Sequence, residues 1–494
     1  MERFVYYLYR AATRSIALLP LKTTFHLGEW AGWGSSFLLP PYYRLARRNL
    51  EIAFGNECSP AELTRLARQH FARLGANLLS SIKVAHLSQK EILDLVGIEN
   101  REIYDQAVAS NRGIVLVIGH LGNWELLAQL FPLLFPRKAG TIYQRLGNRY
   151  LDAEIRKIRS RQGLTPFERK EGFQKVITFV REGGGVGILA DQHAGDKGIW
   201  TPLFDRLAST TPLAATIALR SNALLLAAGL YTVAPGKWKL RFSEPIETAS
   251  GDIALITAEM NRTLEELIRV SPADWFWVHN RWKLPNPNFL VSRYKRGIAF
   301  PAGYSATQLK PFRMVIRSSN WLGDAVMTLP AVKAIKQGRP DAHITILVRE
   351  KLAEFWKRVP EVDAVIPITK EDSVFSVAKK LRRERFEAAI ILPNSPRTAL
   401  EAWLAGIPRR VGVPGKWRRH LLNQLILPPK KKKAKPASHQ VYHYLAIAER
   451  LGAEIGPCQQ PEHFFTTPAL RATPPPPGAK LRIGVCPGAE YGPA

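Results

Sequence analysis

The 494-residue chain is short of cysteine, of acidic side chains and of long apolar runs, and each shortage excludes something. Its three cysteines, Cys58, Cys458 and Cys486, lie far apart with no C-x-x-C spacing. That excludes a disulfide framework and a structural zinc site, so no metal is expected, and it fits a reducing compartment. No run of about 18 apolar residues occurs; the nearest, Leu213 to Ala234, is broken by Arg220, Ser221 and Asn222, so no bilayer-spanning helix is expected. The N-terminus, Met1 to Arg10, lacks the apolar core and small-residue cleavage site of a signal peptide and is expected to be retained. Acidic residues number 41 against 70 Lys plus Arg, a formal charge of +29 that attracts anionic partners. No nucleic-acid module accompanies that charge, so an anionic membrane surface and acidic proteins are the expected partners, and nucleic acid is not.

What is present is ordinary globular composition, 46% hydrophobic and 22% charged, in a chain long enough for several folding units. Two series of strand and helix signals divide it into residues 1–290 and 312–472. A linker at 291–311 is punctuated by Pro and Gly, and a further linker with the start of another domain occupies 473–494. A helix from about Phe4 to Leu19 places Phe4, Leu8, Ala11, Ala12 and Leu19 on one side and Arg3, Arg10 and Arg14 on the other. Either it packs with a solvated face or it lies at a membrane surface; Trp30, Trp33, Phe37, Leu38 and Leu39 extend its apolar character and favour the membrane.

Ile114-Val-Leu-Val-Ile118 reads as a buried strand, followed by a Gly119-His120 turn and a helix from about Asn123 to Leu134. Gly183 to Ala190 reads as a second such strand ending at Asp191-Gln192, and Leu224 to Ala228 as a third. Strands alternating with helices imply an α/β sheet, whose ligands lie at the carboxyl ends of strands, where His120 and Asp191 fall. His120 and Glu125 form an H-x4-E pair. The turn between them can bring the carboxylate to the imidazole, orienting it as a general base while helix N-terminal amides stabilise an oxyanion. Asp191 either orders this site or caps the following turn. The chain has neither a G-x-S-x-G elbow nor an activated cysteine, so direct transfer in a ternary complex is expected. Arg145, Arg156 and Arg159 either grip acceptor phosphates or line a solvated helix.

The block Gly113 to Glu125 resembles the H-x4-D/E motif of lysophospholipid-type acyltransferases, and within them the lipid A biosynthesis lauroyl/myristoyl acyltransferase family. Further landmarks are Arg48-Asn49-Leu50, Tyr143-Gln-Arg145 with Asn148 and Asp152, Gly187 to Gln192 with Gly195, and Trp275-Phe-Trp277-Val-His279-Asn-Arg281-Trp-Lys283. The resemblance implies acyl transfer from acyl carrier protein, as acyl-ACP, to a hydroxyl of a phosphorylated lipid A precursor. This would occur at the cytoplasmic face of the bacterial inner membrane, by a peripheral or monotopic protein with no bound cofactor. His120 would be the base and Glu125 its partner, with Asn123, Asp191 and Gln192 near the substrate. One departure is Asp205-Arg206 where the family usually has Phe-Gly, which bears on the acyl-chain pocket. The Trp275–Lys283 block is either a core corner or part of an interfacial surface.

Downstream, Met314 to Arg317, Ile344 to Val348, Ala388 to Leu392 and Val411 to Val413 read as strands of a doubly wound parallel sheet. Gly323 permits close approach to a ligand, and Asp324 lies in the first turn of a helix, where the dipole favours an acid. Asn320 to Pro330, with Leu392-Pro-Asn-Ser395-Pro-Arg397, Trp403 to Gly412 and His443-Tyr444, resembles the ADP-heptose:lipopolysaccharide heptosyltransferases. That resemblance implies the first Rossmann-like half of a two-Rossmann (GT-B) glycosyltransferase, with Asp324 as base and ADP-heptose as sugar donor. The nucleotide-sugar half is expected to be largely missing, since only the strand Leu481 to Cys486 follows the proline run Thr473 to Pro477. Lys430 to Lys433 with Lys435 forms either a solvated loop or a grip on lipid phosphates. The sequence thus points to a fused acyltransferase and glycosyltransferase. Its rivals are an acyltransferase for another glycolipid or phospholipid, and a non-catalytic basic membrane-binding scaffold.

Overall fold

The computed structural model describes residues 2–415, 417–427 and 440–456. The lysine run at 430–435, the proline run and the strand expected at 481–486 lie outside them. By contacts between Cα atoms the chain forms two compact units. The first comprises Met1–Phe312 with Ala334–Ala342 and Ala446–Glu454; the second comprises Arg313–Lys333 and the described part of His343–Leu445.

The first unit opens with helices α1 (Glu2–Leu18), α2 (Leu21–Leu38), α3 (Pro40–Phe54) and α4 (Pro60–Val84), then α5 (Gln89–Asp94). Ser59 and Glu62 close a capping box at the start of α4, with Pro60 at its first position. Strands and helices then alternate: β1 (Val96–Glu99), α6 (Arg101–Ala109), β2 (Ile114–Ile118), α7 (Trp124–Leu134), β3 (Ala139–Tyr143), α8 (Arg149–Arg159), β4 (Thr165–Glu168), α9 (Gln174–Arg181) and β5 (Gly185–Leu189). A hairpin of β6 (Ile199–Leu203) and β7 (Arg206–Thr210) precedes α10 (Leu213–Ser221), β8 (Leu224–Ala234), β9 (Lys237–Phe242) and α11 (Ile253–Val270). Seven strands form one sheet in the order β1-β9-β8-β2-β5-β3-β4, parallel except where β8 meets β9. Central β2 is buried throughout because the sheet is covered on both faces. Alternation sends Val115 and Val117 into one hydrophobic cluster and Ile114, Leu116 and Ile118 into another.

No residue of α1 is buried. Phe4, Tyr7 and Leu8 face outward, and Trp30, Trp33, Phe37 and Leu38 of α2 are likewise exposed. No described helix is long and apolar enough to cross a membrane. Helices α2 and α4 approach so closely that a Cβ on Gly28 would lie 2.4 Å from the carbonyl oxygen of Gly75.

Two segments left open by the sequence take a definite place in the first unit. Residues 291–311 are not a free linker. They carry only a one-turn helix, Ala306–Gln308, yet Val291 and Leu309 are buried against Trp200 and Leu207, and Lys310 Nζ donates to the carbonyls of Ile52 (2.9 Å) and Ala53 (2.8 Å). Proline and glycine suppress regular elements without preventing packing, and the apolar residues between them supply it. The Trp275–Lys283 block is a core corner, with Trp275, Trp277, Arg281 and Trp282 all buried.

The second unit carries β10 (Phe312–Arg317), α12 (Leu322–Gln337), β11 (Ala342–Arg349), α13 (Ala353–Lys357), β12 (Ala364–Ile368), α14 (Val374–Arg383), β13 (Ala388–Ile391), α15 (Pro396–Leu404), β14 (Arg409–Gly412), β15 (Gln424–Leu425) and α16 (Val441–Arg450). Some of these elements have their ends in the first unit. The sheet order β12-β11-β10-β13-β14-β15 is, in chain order, 3-2-1-4-5-6, the order of a Rossmann sheet. The pairs β11/β12, β10/β13, β13/β14 and β14/β15 are parallel. Its switch point lies between β10 and β13.

Candidate functional site

In the first unit the register of two parallel strands builds the site. Ile118 of β2 pairs with Leu189 of β5, so His120 and Asp191, each two residues beyond a strand end, emerge side by side. Asp191 is fully engaged. Its Oδ1 accepts from His120 Nδ1 at 2.6 Å, and its Oδ2 accepts from the His120 backbone N–H and from Trp275 Nε1, each at 2.7 Å. Burial alone would raise the carboxyl's pKa, but the His120 charge and these donors carry it down to about 2. For His120 burial works against the charged form; the attraction and hydrogen bond of Asp191, aided by Glu125, outweigh it and raise the pKa above the ordinary imidazole value. The imidazole packs against the rings of Trp124 and Phe276, centroids 5.2 and 5.8 Å away, which also touch each other at 5.6 Å.

The sequence expected Glu125 to be the partner of His120, and the structure corrects this. Glu125 lies in the first turn of α7 and turns to α8, where Arg159 grips it with two bonds, Nη2 to Oε1 at 2.6 Å and Nε to Oε2 at 3.0 Å. The pairing of β2 with β5 supplies a closer carboxylate, and Arg159 holds Glu125 elsewhere. Asn123, expected at the substrate, is buried and serves the helix: its Oδ1 accepts from Leu126 N–H as the N-cap of α7. Gly122 has φ +53°, and a Cβ there would lie 2.3 Å from the Leu230 carbonyl oxygen, so glycine is needed to bring the chain from His120 to this cap.

Gln192 is exposed, with Nε2 3.4 Å from His120 Nε2. The chain around it is clamped. Arg281 donates to the Gln192 carbonyl (3.4 Å), and His279 Nε2 accepts from the His193 N–H (3.0 Å). Arg281 is wholly buried and bonded to Ser209, Thr210 and Asn261; burial pushes its pKa down to about 10. Asn49 of α3 donates to the carbonyls of Trp277 (2.8 Å) and His279 (2.7 Å), holding the same turn. Trp275, Phe276, His279 and Arg281 had no individual role in the sequence reading; the aromatic and basic run containing them was the only signal.

Beside the pair, between the sheet and helices α7 and α8, lies a cavity of about 270 Å³ lined by Trp124, Leu127, Phe131, Ile142 and Leu164 among others. Glu125, Arg156 and Arg159 also line it. Arg145 is exposed, 3.9 Å from buried Asp152, whose Oδ1 accepts from Leu146 N–H and orders the turn into α8. The Asp205-Arg206 departure lies elsewhere, at the β6–β7 hairpin turn. Phe204 and Asp205 have positive φ there, and Asp205 accepts from Tyr304 while Arg206 donates to the Pro311 carbonyl. Neither residue lines the cavity. A second cavity of about 340 Å³ lies under α1 and shares Glu125, Ile155 and Arg159 with the first.

In the second unit, Asp324 lies in the first turn of α12 and accepts from Gln440 Nε2 at 3.2 Å. Gly323 is exposed, with open space where a Cβ would be. At the switch point, buried Arg317 and Glu401 pair at 3.5 Å, and Arg397 joins Glu401 from the preceding turn of α15 at 3.2 Å.

Comparison with known proteins gives two likenesses. Over 199 residues the chain is 28% identical to lipopolysaccharide heptosyltransferase 2 of Escherichia coli K12, covering 37% of this chain and 56% of that protein. It therefore spans little more than half the length of that relative. A solved structure of E. coli ADP-heptose LPS heptosyltransferase II is 30% identical over 28% of this chain and 40% of its own, with a TM-score of 0.25. Over 283 residues the chain is 25% identical to the lipid A biosynthesis lauroyltransferase of E. coli K12, covering 56% of this chain and 91% of that protein. The model of the bacterial lipid A biosynthesis acyltransferases matches residues 1–284, the stretch that contains His120, Asp191 and the Trp275–Lys283 turn. Through that stretch, more than half its length, the chain belongs to the bacterial lipid A biosynthesis acyltransferase family.

Proposed function

We propose that the first unit transfers a fatty acyl group from the thioester of acyl carrier protein directly to a hydroxyl of a phosphorylated lipid A precursor. The reaction takes place at the cytoplasmic face of the inner membrane, with His120 as general base and Asp191, in the place first given to Glu125, as the carboxylate that orients it. The observation that carries this reading is the 2.6 Å bond from His120 Nδ1 to Asp191, which leaves Nε2 as the basic nitrogen. The acceptor hydroxyl gives its proton to Nε2 as its oxygen attacks the thioester carbonyl. The imidazolium so formed is stabilised by Asp191 and returns the proton to the departing thiolate. N-terminal amides of α7 without helical partners suit the oxyanion. The cavity takes the acyl chain, Arg145 and Arg156 offer guanidinium groups to acceptor phosphates, and the exposed aromatic residues of α1 and α2 enter the headgroup layer.

For the second unit we propose sugar transfer to a lipopolysaccharide precursor with ADP-heptose as donor and Asp324 as base. The Rossmann strand order and the position of Asp324 at the start of α12 support it.

The test of acyl transfer is an assay with acyl-ACP of several chain lengths and an under-acylated Kdo-lipid A precursor, using wild type and His120→Ala. Transfer by the wild type and a fall of at least about 100-fold in the variant are expected. Transfer only to another glycolipid or a phospholipid would reassign the acceptor. Vesicle binding with no His120-dependent transfer to any acceptor would replace catalysis by a membrane-binding scaffold.

A further inference from the structure

A base that activates a hydroxyl can equally activate water, and a site that holds an acyl thioester before its acceptor arrives risks hydrolysing it. The surroundings of His120 Nε2 bear on that risk. Because Nδ1 faces Asp191 at 2.6 Å, neutral His120 has its proton on Nδ1 and its lone pair on Nε2. The Gln192 amide nitrogen stands 3.4 Å from His120 Nε2 and can only donate. It lies about where the oxygen of a hydroxyl or water would sit to deliver its proton.

The placement is built by neighbouring groups. Asp191, the preceding residue, is fixed by three hydrogen bonds. The Gln192 carbonyl faces buried Arg281, and the next backbone N–H is held by His279. The backbone on both sides is thus fixed, while the Gln192 side chain is exposed and able to swing aside. The contact is also a single long hydrogen bond, which an incoming hydroxyl can displace at little cost.

We propose that Gln192 is a guard on the catalytic base: in the absence of acceptor its amide occupies the lone pair of His120 Nε2 and suppresses hydrolysis of the bound acyl thioester, and the acceptor hydroxyl displaces it. This rests on the acyl-transfer reading above and adds a residue that sets the choice between transfer and hydrolysis. In the suppressed reaction, water gives one proton to Nε2 and its oxygen bonds to the thioester carbonyl carbon. The C–S bond then breaks, and the thiolate leaves with the proton from the imidazolium, giving fatty acid and free thiol. A glycolipid hydroxyl brings binding energy from the rest of its molecule to displace the amide, and water brings none.

The experiment measures free fatty acid released from lauroyl-acyl carrier protein without acceptor, and acyl transfer with Kdo-lipid A precursor, for the full chain. The variants are wild type, Gln192→Ala, Gln192→Met and His120→Ala. Met keeps the length of the side chain and removes the donor. The ratio of hydrolysis to transfer is expected to rise about fivefold in both Gln192 variants, the factor one ordinary hydrogen bond supplies, and His120→Ala is expected to lose both reactions. A ratio in Gln192→Met equal to that of wild type would overturn the hydrogen-bonded guard, and so would a ratio unchanged in both variants, while His120-dependent transfer still upheld the acyl-transfer reading. Absence of any His120-dependent reaction in the wild type would overturn both.

Discussion

Asp191 accepts three hydrogen bonds from one buried position, and its charge acts on His120 more than that of any other group. The groups that face His120 electrostatically are Asp191 beyond β5, Glu125 on α7 and His279 in the Trp275–Lys283 turn. Since Asp191 raises the His120 pKa, the acid limb of the transfer rate is expected above the ordinary imidazole value of about 6.5, with activity increasing as His120 loses its proton. Asp191→Asn removes the charge and keeps the shape. The limb should move to lower pH while the plateau falls by about 10² to 10⁴, read from pH–rate profiles with acyl-ACP. A limb that stays in place would remove Asp191 from control of the base. The position of His120 was legible in the sequence because a histidine after a short apolar strand announces a strand-end site. Its partner was not, because residues 120 and 191 meet through the pairing of β2 with β5, and no local spacing encodes which strands become neighbours.

The elements most legible were buried strands with continuous apolar runs: β2 was expected residue for residue, and β5, β8, β10, β11, β13 and β14 within a few residues or as part of a longer strand. Short or partly exposed strands such as β1, β4 and β12, and the β6–β7 hairpin with its Phe204-Asp205 turn, give no comparable signal. Helix α1 shows another limit. Its amphipathic pattern was read correctly as a helix, but the direction each face takes depends on α4 and α8, and the side with Phe4 and Leu8 faces outward. The Arg48-Asn49-Leu50 landmark acquires a physical reason only in three dimensions, where Asn49 ties α3 to the turn after Trp275. Asn49→Ala leaves the buried Trp277 carbonyl and the half-buried His279 carbonyl without that donor and should destabilise the first unit by about 2 kcal/mol, read as a lower urea midpoint of tryptophan fluorescence. An unchanged midpoint would show the tie to be dispensable.

At the scale of the whole molecule, the proposed membrane contact joins a charge of +29 to the exposed aromatic side chains of α1 and α2. Binding to anionic vesicles should weaken with salt, as screening removes the electrostatic part, and should weaken at all salt concentrations in Trp30→Ala/Trp33→Ala, which removes apolar insertion. Co-sedimentation measures both; a double variant that binds as wild type would exclude α2 as the contact. One further consequence follows from how the chain is threaded. The family match ends at residue 284, whereas the first compact unit runs to Phe312 and also takes in Ala334–Ala342 and Ala446–Glu454. Within it, Leu290 N–H donates to the Leu451 carbonyl, Val291 N–H to that of Gly338, and Arg339 to that of Phe289. A gene split at residue 312 would therefore leave Phe289, Leu290 and Val291 bare on one product and their covering segments on the other. A split before Phe289 would in turn strip Val291, Leu309 and Lys310 from Trp200, Leu207 and Ile52, so neither cut leaves the first unit whole.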